Sequence, residues 1–221
     1  MATQRTSVVG ELSPARKSLI LAAERLVARY GVSGFTTRML NAEAGARNAS
    51  ALHYHFGSRE DLVRAVWEYR MATINPRRLE LLRGVTPPDV ERIVEALILP
   101  LAEQLEPRPE GNSYLRFVER VVREAAYGPD ADTELPWTEG WHRAYGLLRQ
   151  SLAGEASGEV IERKIRFARI LVISGLAGVE ADLERGELSL PSLPGIVDVL
   201  KDSVVALIGT PRAGMGETAH P

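Results

Sequence analysis

Residues 35–62 read FTTRMLNAEAGARNASALHYHFGSREDL, and the spacing of caps and glycines in this stretch predicts three successive helices. A threonine oxygen of Thr36 or Thr37 can cap a short helix over 38–44, which Gly45 can end. The first part of the stretch therefore predicts one short helix followed by a turn.

The second part of the stretch predicts two more helices. Asn48 can cap a segment over 49–55 that a Phe-Gly pair closes. Ser58 then opens a capping box in which Asp stands in place of Glu, at the start of a long helix. Because Pro76 follows, we expect this helix to end or kink near Asn75.

Outward from this stretch the pattern stays helical, because apolar residues recur at spacings of three and four. Ser13 and Pro14 have the residue types of a cap and a first helical position, and the helix that they begin can end at Gly31. We predict an all-α protein of about nine helices. The later helices are expected over 86–106, 113–126, 136–152, 160–183 and 195–208.

The composition is that of an ordinary globular protein, with 45% hydrophobic and 25% charged residues among 221. The absence of cysteine excludes disulfides, thiolate metal sites and cysteine nucleophiles. The longest stretch without a formal charge is 11 residues, Asn48 to Ser58, which is too short to cross a bilayer. Residues 1–11 have no apolar core of signal-peptide length. We expect a cytoplasmic protein without a membrane span.

Charge is distributed unevenly along the chain. Residues 1–83 carry 13 Lys and Arg against 7 Asp and Glu, whereas residues 84–221 carry 14 against 22. A basic head on an acidic body attracts polyanions locally, because screening confines the field to about a Debye length. Nucleic acid is therefore the first partner to consider, although a solvated basic face without a partner explains the charge equally simply.

The third predicted helix carries side chains suited to DNA. Three short helices with a glycine-containing turn between the second and third are typical of a helix-turn-helix. Small alanines in the third segment allow close approach, and its polar side chains can hydrogen-bond base edges or phosphates. These polar residues are Arg47, Asn48, Ser50, His53 and Tyr54.

The stretch from Leu19 to Leu62 resembles the DNA-binding head of the TetR/AcrR family of repressors. The resemblance covers about 50 residues and rests on Gly31, Phe35-Thr36-Thr37, Ala44-Gly45 and the string YHFGSRE at 54–60. Two departures stand out. His53 occupies the position where many members have tyrosine, and nine residues instead of eight separate Gly45 from His55.

The resemblance implies a role for each candidate DNA-binding residue. Helix N-termini present free N–H groups to anions, which supports phosphate contacts at the starts of the second and fourth helices. Thr36 and Asn48 can also be read as helix caps alone, and we assign His55 and Phe56 to the core. The implied phosphate contacts are Thr36, Thr37, Arg38, Tyr54, Ser58 and Arg59, and the implied major-groove contacts are Arg47, Asn48, Ser50 and His53.

Aromatic residues of the body are candidates for lining an effector pocket, although ordinary core packing accounts for them as well. They recur at helical spacings on the predicted sixth and seventh helices, with two further apolar residues on the fourth. The family resemblance implies a small hydrophobic or amphipathic effector of unknown identity. The candidate residues are Trp67, Met71, Tyr114, Phe117, Trp137, Trp141 and Tyr145. Arg120 is a further candidate, because it could reach an acidic group on a ligand, although a solvated helix face explains it more simply.

The helix over 160–183 lacks a polar face in its middle, so it must be covered on most sides. Small residues at Gly175, Ala177 and Gly178 permit close approach of another helix. We expect a homodimer through the helices at about 160–183 and 195–208, with an internal core helix as the alternative.

No catalytic constellation or cofactor motif is recognised in the sequence. His53 and His55 are two apart on a helix and point about 200° away from each other, so they cannot share a metal ion. An acidic loop over 130–134 lacks the glycine and the glutamate of a calcium site. We therefore expect no enzymatic activity, no cofactor and no bound metal.

These observations predict a helix-turn-helix DNA-binding domain over 1–57, a helical effector-binding and dimerisation domain over 58–211, and a disordered tail over 212–221. The predicted function is a dimeric, ligand-responsive repressor that binds double-stranded operator DNA. Two alternatives stay open: a helical enzyme or carrier of small molecules without sequence-specific DNA binding, and a DNA-binding dimer whose body holds no ligand.

Overall fold

The computed structural model describes residues 12–46, 48, 50–87, 89–107, 111–124 and 138–209. Within these residues the regular elements are helices and no strand is formed, so the predicted all-α class is confirmed. No helix in this part of the chain combines the length and the hydropathy that a membrane span needs. The α-helices are α1 (Pro14–Tyr30), α2 (Thr37–Glu43), α3 (Ala51–Phe56), α4 (Arg59–Leu81), α5 (Val90–Ala102), α6 (Tyr114–Val121), α7 (Glu139–Leu152), α8 (Gly158–Arg185) and α9 (Leu193–Gly209).

The head helices begin at the caps that the sequence predicts. The hydroxyl oxygens of Ser13, Thr36 and Ser58 accept from the backbone N–H groups three residues later, at 3.3, 3.2 and 3.0 Å. Gly31 and Gly57, at φ 78° and 81°, follow the last residues of α1 and α3, a conformation that favours glycine. The caps form as predicted because each hydroxyl and the N–H that it accepts from lie within one helical turn of each other along the chain.

The start of α3 differs from the prediction. The helix begins at Ala51, two residues later than expected, and Asn48 does not cap it. Instead, Asn48 Oδ1 accepts from the Ser50 N–H at 2.9 Å, which closes a turn ahead of the helix. Asn side chains readily accept hydrogen bonds from the backbone N–H two residues later, so an asparagine can close such a turn as well as cap a helix.

Helix α4 continues through Pro76 to Leu81, so it does not end near Asn75, and the alternative of a kink there stays a prediction. A proline inside a helix costs about 3 kcal/mol through its missing N–H and its ring. On both sides of Pro76, α4 side chains are buried against the body, among them Ile74 and Arg78. Tertiary packing of this face offsets the local cost, which no local pattern reveals.

One continuous hydrophobic cluster runs through the described head and body. It includes Leu26 of α1, Val66 of α4, Leu97 of α5, Phe117 of α6 and Leu176 of α8. Helix α6 packs between α1 and α8, and α5 packs against α4 and α9. The domain boundary at residue 57 stays a prediction, and the predicted tail over 212–221 lies outside the described residues.

Helix α8 is not covered on all sides in the single chain. Its inner face is buried through residues such as Ile165 and Val172, whereas Phe167 and Ile170 on another face are 49% and 51% exposed. Gly175 is where α9 approaches closely, since an added Cβ there would lie 3.3 Å from a methyl carbon of Leu200. The small residue at 175 thus serves a contact within the chain.

Candidate nucleic-acid interface

Helix α3 has one face in the core and one face in solvent. Ala51 and Leu52 are buried, whereas His53 is exposed and Tyr54 is 83% exposed, the highest value among the large apolar or aromatic side chains described. A tyrosine so exposed on a six-residue helix contributes little to packing. The structure therefore leaves these polar side chains open to a partner, as the sequence predicts.

Arg16, in the first turn of α1, holds α3 against that helix. Its Nη1 donates to the carbonyl oxygen of His55 at 2.8 Å, and its guanidinium carbon lies 4.5 Å from the centre of the Phe56 ring. The backbone carbonyl of His55 thus links α3 to α1. His55 and Phe56 are both half-buried, and Phe56 packs against the hydrophobic core.

The His53 ring is oriented by its own turn. Its Nδ1 lies 2.9 Å from the carbonyl oxygen of Gly57. Because a carbonyl oxygen only accepts, Nδ1 must carry the hydrogen, and in the neutral ring Nε2 is then an acceptor. The exposed edge of His53 can thus accept from a base amino group when neutral, and donate to a phosphate or base when protonated.

The predicted phosphate contacts fall into two groups. Thr36 and Arg38, on either side of the start of α2, are exposed, and Thr37 is half-buried. Ser58 is half-buried at the start of α4, where it also donates to Asp61 Oδ2 at 2.6 Å.

Arg59 is engaged inside the head. Its Nη1 donates to the Val32 carbonyl oxygen at 3.0 Å, and its guanidinium carbon lies 4.5 Å from the centre of the Phe35 ring. The side chain therefore fastens α4 to the loop before α2, and its contact with phosphate stays a prediction. Of the other predicted groove contacts, Asn48 and Ser50 are exposed, and Arg47 lies outside the described residues.

The predicted effector residues that the structure describes form two aromatic groups in the body. In the first, the ring of Trp67 lies 6.2 Å from that of Tyr114 and 5.9 Å from that of Phe117, centre to centre. Both partners are fully buried, as is Met71 on α4. In the second, Trp141 and Tyr145 of α7 are stacked at 5.6 Å and half-buried.

Arg78 of α4 joins the two aromatic groups. Its guanidinium carbon lies 4.0 Å from the centre of the Trp141 ring, and its charge acts on the phenols of Tyr114 and Tyr145. Arg120 does not join them, because its side chain is exposed. Trp137 lies outside the described residues.

Sequence reasoning missed Arg16 and Arg78. The partners of Arg16 are about 40 positions away, and those of Arg78 lie on three other helices. No local pattern distinguishes these arginines from the many exposed ones. Among the described residues, no cluster of three His, Asp or Glu side chains could hold a metal ion.

Comparison with known proteins agrees with the geometry of the head. Residues 19–66 match the model of the family described as bacterial regulatory proteins, tetR family. A TetR-family regulator from Streptomyces coelicolor A3 is similar at 18% identity and a TM-score of 0.42, over 95% of this chain and all of that one. No curated protein matches the sequence. The head, with α3 exposed as a helix-turn-helix requires, is therefore that of a DNA-binding transcriptional regulator, and residues 19–66 are similar to the tetR family.

Proposed function

We propose that the chain is a homodimeric repressor that binds a near-palindromic operator through α3 and is released by a small molecule bound in its body. The observation that carries the proposal is the division of α3, with Leu52 in the core and Tyr54 in solvent. A helix that presents polar side chains while its apolar residues anchor it has the geometry of a recognition helix.

The dimer is supported by the apolar surface that α8 and α9 leave exposed. Phe167, Ile170 and Leu171 on α8 are 49%, 51% and 37% exposed, and Val199 on α9 is 66% exposed. Phe167, Ile170 and Leu171 lie three and four positions apart and so share one face of α8, and an exposed apolar face of this kind is typical of a protein interface. A two-fold dimer would present two copies of α3 at a separation of about 34 Å, one turn of DNA.

Release is supported by polar contacts that join the head to the body. Glu24 of α1 accepts from the buried Arg70 of α4 and, through Oε1, from the backbone N–H of Ser113 at 3.1 Å. Ser113 precedes α6, whose first N–H groups donate to Glu180 of α8. A ligand that shifts α4 or α6 would thereby move α1 and α3. Such coupling is typically about 1–3 kcal/mol, or roughly 5- to 150-fold in affinity.

Regulators of this family bind DNA and do not catalyse reactions, so we propose no enzymatic activity. We also propose that it acts in the cytoplasm. Both statements follow from the function proposed above.

Selection of bound fragments from randomised and genomic DNA tests the function most directly. We expect an enriched near-palindrome, bound by one dimer with an affinity that falls steeply with salt, because each neutralised phosphate releases a counterion. Enrichment of no sequence would contradict the proposal. An asymmetric site bound by one copy of the chain would contradict its dimeric part.

A further inference from the structure

Arg78 is a buried cation with unused donors. The side chain is 0% exposed, and its Nε donates to the carbonyl oxygen of Ala96 at 3.1 Å. Neither Nη1 nor Nη2 has a hydrogen-bond partner among the residues that the structure describes. Buried guanidinium groups are normally paired, since an uncompensated charge away from water is strongly unfavourable. The position therefore calls for an acceptor.

Arg70, two turns earlier on the same helix, shows how the chain satisfies such a group when the role is structural. Its Nε and Nη2 each donate to Glu24 at 2.7 Å, and both side chains are at most 2% exposed. Arg78 has no such carboxylate among the described residues, and the groups that act on its charge are the phenols of Tyr114 and Tyr145. Arg70 Nη1 also has no hydrogen-bond partner, so the two arginines differ in their carboxylate: Arg70 has Glu24, and Arg78 has none among the described residues.

Tyr114 adds a second unused donor beside Arg78. Its hydroxyl is buried without a hydrogen-bond partner in the described part of the chain, and the charges of both Arg70 and Arg78 act on it. Burial raises the pKa of Tyr114, so the phenol stays a neutral donor. Burial lowers the pKa of Arg78 to about 10, so the guanidinium is still charged at neutral pH.

The walls around these donors are aromatic. Trp141 lies against the guanidinium of Arg78, and the rings of Trp67 and Phe117 lie about 6 Å from that of Tyr114. Hydrogen-bond donors in excess among aromatic rings suit an anion attached to an apolar body. The two Nη atoms of Arg78, which have no hydrogen-bond partner in the described part of the chain, match the two oxygens of a carboxylate.

We propose that the effector is an amphipathic carboxylate, held through its carboxylate by Arg78 and the Tyr114 hydroxyl with its apolar part against the aromatic rings. The effect of this ligand on DNA rests on the function proposed above, whereas its binding to Arg78 does not. The proposal names the chemical class of the effector, which the sequence leaves undefined.

Two matched pairs of probes test the proposal by calorimetry and thermal unfolding. They are 1-naphthoate with 1-naphthamide and decanoate with decanamide, in which only the charged group differs. We expect at least one carboxylate to bind at least about tenfold more tightly than its amide, since hydrogen bonds to a charged group contribute about 1.5–3 kcal/mol. Equal binding within both pairs, or no binding of either carboxylate, would overturn the proposal.

Variants locate the contact. Arg78→Met should remove the preference for the carboxylate, and Arg78→Lys should retain only part of it, because an ammonium lacks the two-pronged geometry. Arg92→Met removes an exposed arginine of α5 and is the control that should bind like the wild type. If Arg78→Met keeps the full preference while folding normally, the assignment to Arg78 is wrong.

An acidic side chain of the chain itself is the alternative acceptor, and Asp130, Asp132 and Glu134 precede α7. Their joint replacement by the corresponding amides should leave both the melting temperature and the carboxylate preference unchanged. If it instead lowers the melting temperature and Arg78→Met abolishes that effect, the acceptor is internal and the proposal falls.

A last experiment separates this proposal from the proposed function. It measures how each ligand changes the affinity for the DNA fragment enriched by selection. If a carboxylate binds through Arg78 but leaves DNA affinity unchanged, release by this ligand is excluded and the binding site stands. If the amides bind and release DNA as well as the carboxylates do, ligand-controlled release stands and the assignment of a carboxylate effector is overturned.

Discussion

Glu24 and Arg70 form a buried, two-pronged ion pair between α1 and α4, with both Nε and Nη2 of the arginine donating at 2.7 Å. The same carboxylate accepts from the backbone N–H of Ser113 at 3.1 Å, so one acidic residue joins the head, the long helix and the start of α6. Burial and the hydrogen bonds to Glu24 act in opposite directions on the pKa of Arg70, and the net direction is upward. The pair therefore holds three elements in one arrangement.

Removing one partner of this pair should be costly. Arg70→Met leaves Glu24 buried without its cation, and we expect the free energy of unfolding to fall by about 3–5 kcal/mol in urea titrations. The double variant Glu24→Gln with Arg70→Met should recover part of the loss, because no charge is then stranded. A single variant that unfolds like the wild type would show that the pair does not stabilise the fold.

Tyr54 should contribute to DNA binding without contributing to stability. We expect Tyr54→Ala to weaken binding of the selected fragment by about 1–3 kcal/mol, the range of one good contact, while the melting temperature stays unchanged. Tyr30→Ala is the matched control, because Tyr30 is an exposed tyrosine at the end of α1. Equal losses in the two variants, measured by fluorescence anisotropy, would show that α3 has no special role.

The apolar face of α8 and α9 should control the oligomeric state. Ile170→Glu places a charge on a surface that we expect to be buried twice in the dimer, which should cost more than about 3 kcal/mol of association. Sedimentation at micromolar concentration should then change from dimer to monomer. Tyr30→Glu adds the same charge to the head and should leave the dimer intact. A monomeric wild type would contradict the interface.

Gly140 should not tolerate a larger side chain. A Cβ at this position would lie 2.6 Å from Asn75 Oδ1 and within 3.3 Å of the Arg78 side chain. The Gly140 N–H also donates to Asn75 Oδ1 at 2.8 Å, so the two helices cannot separate without losing that bond. We expect Gly140→Ala to lower stability by about 1–3 kcal/mol through overpacking. Gly146→Ala, on the same helix with open space around it, should be neutral or stabilising.

Glu180 should make stability depend on pH in a defined direction. Burial raises its pKa above the ordinary 4.5, against the opposing hydrogen bonds from Arg116 and Leu115. The unfolded chain therefore releases its proton at lower pH than the folded chain does. Relative to Glu180→Gln, the wild type should be most stable below about pH 4.5 and lose stability as pH rises through the folded pKa. A difference that grows with pH in denaturation curves would show that the hydrogen bonds outweigh burial.

Local rules predicted the head well, because its signals act within a few residues. Ser13, Thr36 and Ser58 begin helices as capping predicts. Asn48 shows the limit of the same rules, since its side chain closes a turn and α3 begins later. The sequence could not decide between an end and a kink of α4 near Asn75, because the local effect of Pro76 competes with the burial of residues beyond it.

The candidate sites divide in the same way. His53 and Tyr54 could be found from the sequence because they fall within a recognisable helix-turn-helix pattern of adjacent residues. Arg78 and Glu24 could not be found, because their contacts join residues from 18 to 89 positions apart. The sequence alone does not show which charged side chains are buried. Arg78 and Glu24 become buried, hydrogen-bonded groups only when several helices pack together.

The amino-acid order alone thus determined the helical class, the helices of the head and the residues of α3 that can face DNA, since these depend on periodicity and caps within a turn of chain. The tertiary structure alone decided which arginines are buried, which of them has a carboxylate, and which face of α8 stays uncovered. The physical reason is that burial and charge pairing are properties of several helices packed together, and sequence separation sets no limit on which side chains meet.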